Sequence, residues 1–174
     1  MNPIEITHAV SRAGAAFGFA VMAITGMAIY YSRGRSFTAL KSKSVWLPWS
    51  LTAVTMVLAS AVTGGFISSL SGSLTGTGNK GGAVVGHAAL GQDADGAVKV
   101  SAARVLSYSG SWIVLVLLVA VGLFIWFAKS WKERALAVSG ALTGATWGIT
   151  SALGGWAAMI GVPLLSWIGK VVIG

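Results

Sequence analysis

Four stretches of this chain run without a single Asp, Glu, Lys, Arg or His: residues 13–31, 45–70, 105–128 and 135–161. At ~1.5 Å per residue, a helix of about 20 residues crosses the ~30 Å hydrocarbon core of a bilayer. Strands of a membrane barrel are shorter, about 9–11 residues, and alternate polar with apolar. These runs do not alternate, so helices are predicted. Charged residues make up only 9% of the 174 residues, against about 25% in soluble domains. Too few charges remain to coat a soluble surface.

The expected fold is an all-α integral membrane protein: four transmembrane helices, then a short C-terminal interfacial segment. A single membrane domain spans residues 1–174, with spans at about 13–31, 46–68, 106–128 and 136–161. Basic turns fall at 32–44 and 129–134, a glycine-rich outer loop at 71–104 and an interfacial tail at 163–174. Pro163 is expected to end or kink the fourth helix, because proline lacks the N–H that a helix interior uses. The N-terminus lacks a basic region ahead of a short apolar core, so the first run is expected to remain as a helix.

The net charge of +8 would suggest nucleic acid in a soluble protein. Here its distribution points to topology. Arg33, Arg35, Lys41, Lys43, Lys129, Lys132 and Arg134 sit in the two short turns, 7 of the 12 Lys+Arg. Basic short loops stay in the cytoplasm, which places both termini and the long loop outside a bacterial cytoplasmic membrane. Tyr30, Tyr31, Trp46, Trp49, Trp112, Trp126, Trp131 and Trp167 fall near predicted helix ends or in the tail. They read as interfacial anchors, since amphipathic rings prefer the headgroup level.

Intramembrane ionisable groups mark proton relays, ion pathways and catalytic sites, and the four runs carry none. That argues against a proton-coupled pump, an intramembrane aspartyl protease and a haem held by helix-borne histidines. The chain has no cysteine and two histidines, His8 and His87, both outside the runs. Two such ligands without a carboxylate cluster make a poor metal site. No phosphate-loop, zinc-protease or serine-hydrolase motif occurs, and Gly76, Gly78 and Gly81, though spaced as in a phosphate cradle, have no strand–helix context around them. The expectation is a non-enzyme with no cofactor, no metal and no identifiable small-molecule substrate; nothing points directly to nucleic acid.

Glycine spacing is the most informative positive feature. Gly140, Gly144, Gly148 and Ala152 recur every four residues, and Gly14, Gly18 and Gly26 form a partial version in the first run. Residues four apart share one helix face, and a face without side chains admits a second helix closely. Over residues 140–152 the pattern resembles the glycine zipper of homo-oligomeric membrane channels and some pore-forming toxins. It serves equally for contact between the first and fourth helices of one chain. The resemblance implies self-association and a channel-like or pore-forming role, holin-like in class, with residues 148–155 as pore lining. The alternative is a structural subunit of a secretion or conjugative DNA-transfer complex. The expected partners are the bilayer and further copies or subunits.

Overall fold

The computed structural model describes residues 10–62, 65–91, 106–148 and 152–173. All regular structure in them is helical: α1 (Arg12–Ser32), α2 (Phe37–Leu40), α3 (Lys43–Ala59), α4 (Gly65–Leu90), α5 (Tyr108–Phe127), α6 (Trp131–Trp147) and α7 (Ala152–Ile173). Two of them, α1 and α5, are long and apolar enough to cross a membrane.

Three helices start on a serine whose side chain accepts the N–H three residues on. Ser11 accepts from Gly14 at 2.9 Å, Ser107 from Gly110 at 3.2 Å and Ser130 from Glu133 at 3.1 Å. Each pairs one of the N–H groups that a helix start leaves without an intrahelical acceptor. Ser130 and Glu133 also match the Ser-x-x-Glu spacing that marks a helix start. Arg134 closes the preceding helix: its guanidinium donates to the carbonyls of Ala128 at 3.1 Å and Trp126 at 3.3 Å. This serves acceptors left open at the end of α5.

α3 and α6 form the centre. Gly140 backs onto Trp49 and Thr52, and Gly144 onto the backbone of Ala53. Four residues on one helix match four on the other, so the two run parallel. α1 runs antiparallel to them: Gly18 meets Thr146 and Trp147 near the end of α6, while Ile29 and Leu136 share a cavity near its start. α5 begins where Leu106 N–H donates to the Ala61 carbonyl at 3.2 Å, just past α3, and ends at the turn into α6. The two basic turns therefore lie at one end of the bundle. At the other end a core of Leu58, Ala59, Val62, Leu106, Val114, Val162 and Leu165 joins α3, α5 and α7.

Three expectations change, besides the second span, which is not one helix over 46–68 because α3 stops at Ala59 and α4 starts at Gly65. Residues 71–90 are not loop but the greater part of α4, and 92–104 lie outside the described residues. Helix α4 lies across the bundle's far end: Thr75 and Gly78 meet Ala145 and Thr146, and Gly81 and Gly82 meet Phe17 and Ala13. Glycine's helix penalty of about 1 kcal/mol is measured in water. The buried Ser71 donates back to its own helix's Ser68 carbonyl at 3.2 Å, so its hydroxyl needs no water, and the exposed Ser73 and Thr77 do the same at 2.9 Å. Second, residues 136–161 are not one helix. α6 stops at Trp147, and Gly148 caps it at φ +49 with its N–H on Gly144 at 2.9 Å. A positive φ is open to glycine and strained for other residues. Third, Pro163 lies inside α7 and does not end it, so the tail to Ile173 is helical. Val162 and Leu165, on either side of it, are buried in the core.

Candidate functional site

The glycine stripe divides when traced through the fold. Gly140 and Gly144 are buried against α3, where a methyl group would overlap the carbonyls of Trp49 and Ala53. Such proximity lets Cα–H groups meet carbonyl oxygens and dispersion act over the whole crossing. Gly148 leaves the helix and faces Val10. Ala152 opens α7, and its side chain lies outside the described set, as do residues 149–151 of the expected pore lining. On α1, Gly14 is filled by Asn79 and Gly18 by Thr146 and Trp147, whereas Gly26 faces open space.

Asn79 was not singled out from sequence. Its Oδ1 accepts from the Ser11 backbone N–H at 3.0 Å and from the Ser11 hydroxyl at 3.1 Å. Gly14 leaves room for the amide, so α4 is latched to the start of α1. Thr75 Oγ donates to the Ala145 carbonyl at 2.9 Å and ties the same helix to α6. Ser68, Ser71, Thr75, Gly78 and Gly82 are all buried along one face of α4. Their spacing of three and four residues is the signal that could have found this face. Asn79→Ala is expected to cost about 2 kcal/mol, because it leaves the Ser11 N–H without this acceptor in a partly buried joint. Thermal unfolding in detergent measures it. An unchanged midpoint would show that the latch carries no stability.

The buried threonine hydroxyls of α3 and α6 are turned onto their own helices. Thr52 donates to Pro48 at 2.9 Å, Thr55 to Leu51 at 2.8 Å, Thr143 to Ser139 at 2.8 Å and Thr146 to Thr143 at 2.9 Å. They are not arranged as a polar path. Trp147 stands between Phe19 and Trp49, at ring-centroid distances of 5.2 and 6.3 Å. Its Nε1 is buried with no acceptor among the described residues.

Trp49 is thus half-buried in an aromatic contact rather than an outward anchor. Trp46, Trp112, Trp126, Trp131 and Trp167 are exposed. The basic residues Arg33, Arg35, Lys41, Lys43, Lys129, Lys132 and Arg134 are all exposed around one end. Arg33 Nη1 donates to Ser42 at 3.3 Å, and the Arg35 guanidinium lies 5.8 Å from the Tyr31 ring centre. His87 is on α4, and His8 lies outside the described residues.

At this basic end α1 and α6 part, and α3 closes the back. The cleft holds a cavity of about 330 Å³ with Ile24, Ala28, Ile29 and Leu136 as walls and Arg33 and Lys132 at its rim. A smaller lobe of about 130 Å³ adjoins it beside Gly26, Trp46 and Trp49. Comparison with protein-family models, with curated proteins and with solved structures finds no match.

Proposed function

We propose that this chain is a non-enzymatic, multi-pass protein of a bacterial cytoplasmic membrane that works by association rather than by catalysis. α1, α3, α5 and α6 are its spans, the basic end faces the cytoplasm and the termini lie outside. The observation that carries this reading is what α1 and α5, the two helices long and apolar enough to cross a membrane, do with their surface. Only 17% of the most apolar window of α1 and of α5 is buried in the fold. Along α5, Trp112, Val116, Val119 and Leu123 form one exposed row. A core helix of a soluble protein buries such a row, and water does not tolerate an apolar patch of this extent. At 17 residues, α3 and α6 are about 26 Å long, with Lys132, Glu133 and Arg134 in the first turn of α6; they are buried in part by their neighbours, while Leu47, Leu51 and Val54 of α3 and Val138 of α6 stay exposed.

Copies then associate into a channel-like assembly, holin-like in class. With Gly140 and Gly144 taken up inside the chain, the open glycines among the described residues of the proposed spans are Gly26 and Gly122, each with no atom within 4 Å of where a Cβ would stand. Gly122→Leu is expected to weaken self-association about tenfold, or ~1.4 kcal/mol, as measured by mass in mild detergent across a dilution series. Purified protein in planar bilayers should give discrete conductance steps. A monomer at every concentration, silent at high density, overturns the assembly.

The seven exposed bases at one end favour a second reading, a structural subunit of a secretion or conjugative DNA-transfer complex that meets an acidic partner there. Co-purification from native membranes with Arg33, Arg35, Lys41 and Lys43 changed to Gln tests it. Unchanged partners count against it.

A further inference from the structure

We propose that the cleft between α1 and α6 is a binding site for one anionic phospholipid of the surrounding leaflet. Its phosphate sits between Arg33 and Lys132, and one acyl chain lies in the apolar slot behind them. The proposal rests on the membrane reading above and goes beyond it by naming a ligand and a place.

Three observations converge. Two cations from two different turns, far apart in sequence, line the same cavity, and both are exposed. The sole described carboxylate, Glu133, does not line it, so no acid neutralises the pair from within. The slot behind them is mainly apolar, with Ile24, Ala28 and Ile29 of α1, Leu136 opposite and Val45 at the back; Thr25 and Ser32 also line it, and their hydroxyls donate to their own helix's carbonyls. A charged rim over an apolar slot complements an amphipathic anion and not a soluble one.

The geometry of the rim suits phosphate. Arg33 is held through Nη1 by Ser42, and a guanidinium keeps further N–H donors for an anion after one bond is made. Charge-assisted bonds from guanidinium and ammonium to phosphate oxygen are roughly twice as strong as neutral ones. A cavity of about 330 Å³ lies at the lower end of ligand pockets. A second copy's helix, about 10 Å across, does not enter a slot of that size; a single acyl chain does. The general attraction of basic turns to an anionic leaflet acts equally on Arg35 and Lys41, which do not line the cavity. That difference separates a site from a surface.

The test uses the full chain in nanodiscs of equal phosphatidylglycerol and phosphatidylcholine, released for native mass spectrometry. The wild type is expected to retain one phosphatidylglycerol per chain. Arg33→Gln with Lys132→Gln should cut that retention about tenfold. Ala28→Trp, which keeps both cations and fills the slot, should cut it comparably. Arg35→Gln with Lys41→Gln should leave it unchanged. All four replaced bases are exposed, so folding is not at stake in that comparison. Equal retention of the two lipids overturns the proposal, as does equal loss in both charge pairs. Displacement by millimolar inorganic phosphate also overturns it, since the slot would then contribute nothing. Alkaline carbonate extraction keeps the two readings apart. A chain that leaves the membrane fraction sinks the membrane reading itself, and one that stays but shows no lipid preference sinks the lipid site alone.

Discussion

Gly144→Ala is expected to lower the melting midpoint in detergent by about 10 °C, while Gly26→Ala leaves it unchanged or raises it slightly. Both changes add one methyl to a helix, and by helix propensity alone both stabilise by up to about 1 kcal/mol. The surroundings reverse the sign at one of them. A Cβ on Gly144 overlaps the Ala53 carbonyl and Cα. These are backbone atoms in the middle of α3, and no rotamer change moves them. The two helices must separate or slide, and the contacts around Gly140 loosen with those around Gly144. Overpacking a close crossing costs about 1–3 kcal/mol, and more where backbone must move. At about 2–4 °C per kcal/mol for a chain this long, a loss of ~3 kcal/mol gives the stated shift. A Cβ on Gly26 meets nothing within 4 Å. If both variants melt together, the α3–α6 crossing is not the joint described. If Gly144→Ala changes the oligomer's mass and leaves the midpoint alone, the stripe works between copies instead.

This contrast shows what the sequence could and could not say. A run of glycines four apart announces a face for close approach, because a bare face has few other uses in a helix that must tolerate three glycines. It does not announce the partner. Nothing in the spacing of Gly140 and Gly144 distinguishes α1, α3 or a second copy, since all are apolar and none offers a charge for recognition. The fold pairs them with α3, and Gly18 of α1 meets the last residues of α6 instead. The all-helical class was legible because long uncharged runs without alternation leave little else.

Helix α4 was the larger miss, and its cause is physical. Its glycines, serines and threonines were read by their behaviour in water, where they favour turns and open chain. Against other helices the same residues make a thin buried face: hydroxyls close onto their own carbonyls, and glycines let Ala13 and Thr146 come near. The spacing of Ser68, Ser71, Thr75, Gly78 and Gly82 carried that periodicity, but it was written in small residues rather than apolar ones. The cleft at the basic end was not legible. Arg33 and Lys132 read as topology signals, and only the antiparallel placement of α1 and α6 brings them to one rim.

That placement supports an all-or-none prediction. The chain contains no cysteine, so a single introduced thiol is labelled without background. Ser36 is exposed in the turn that follows α1, and Lys80 is exposed on α4 at the opposite end of the bundle. Ser36→Cys in intact cells should resist a membrane-impermeant maleimide and react fully in inverted vesicles. Lys80→Cys should show the reverse. The expected side follows from the basic turns, because Lys and Arg in short loops are retained in the cytoplasm. Removing Lys80 takes a base from the outer side and so strengthens the bias rather than eroding it. Both substitutions are at exposed positions, where changes usually stay within about 0.5 kcal/mol. The opposite pattern keeps four spans and inverts the chain, which would place the lipid cleft in the outer leaflet. Labelling of both positions from one side would mean that α3 does not cross, since it is the helix joining Ser36 to α4. In that case α3 is not a span, and the search for a partner subunit that covers its exposed side takes precedence over the search for a pore.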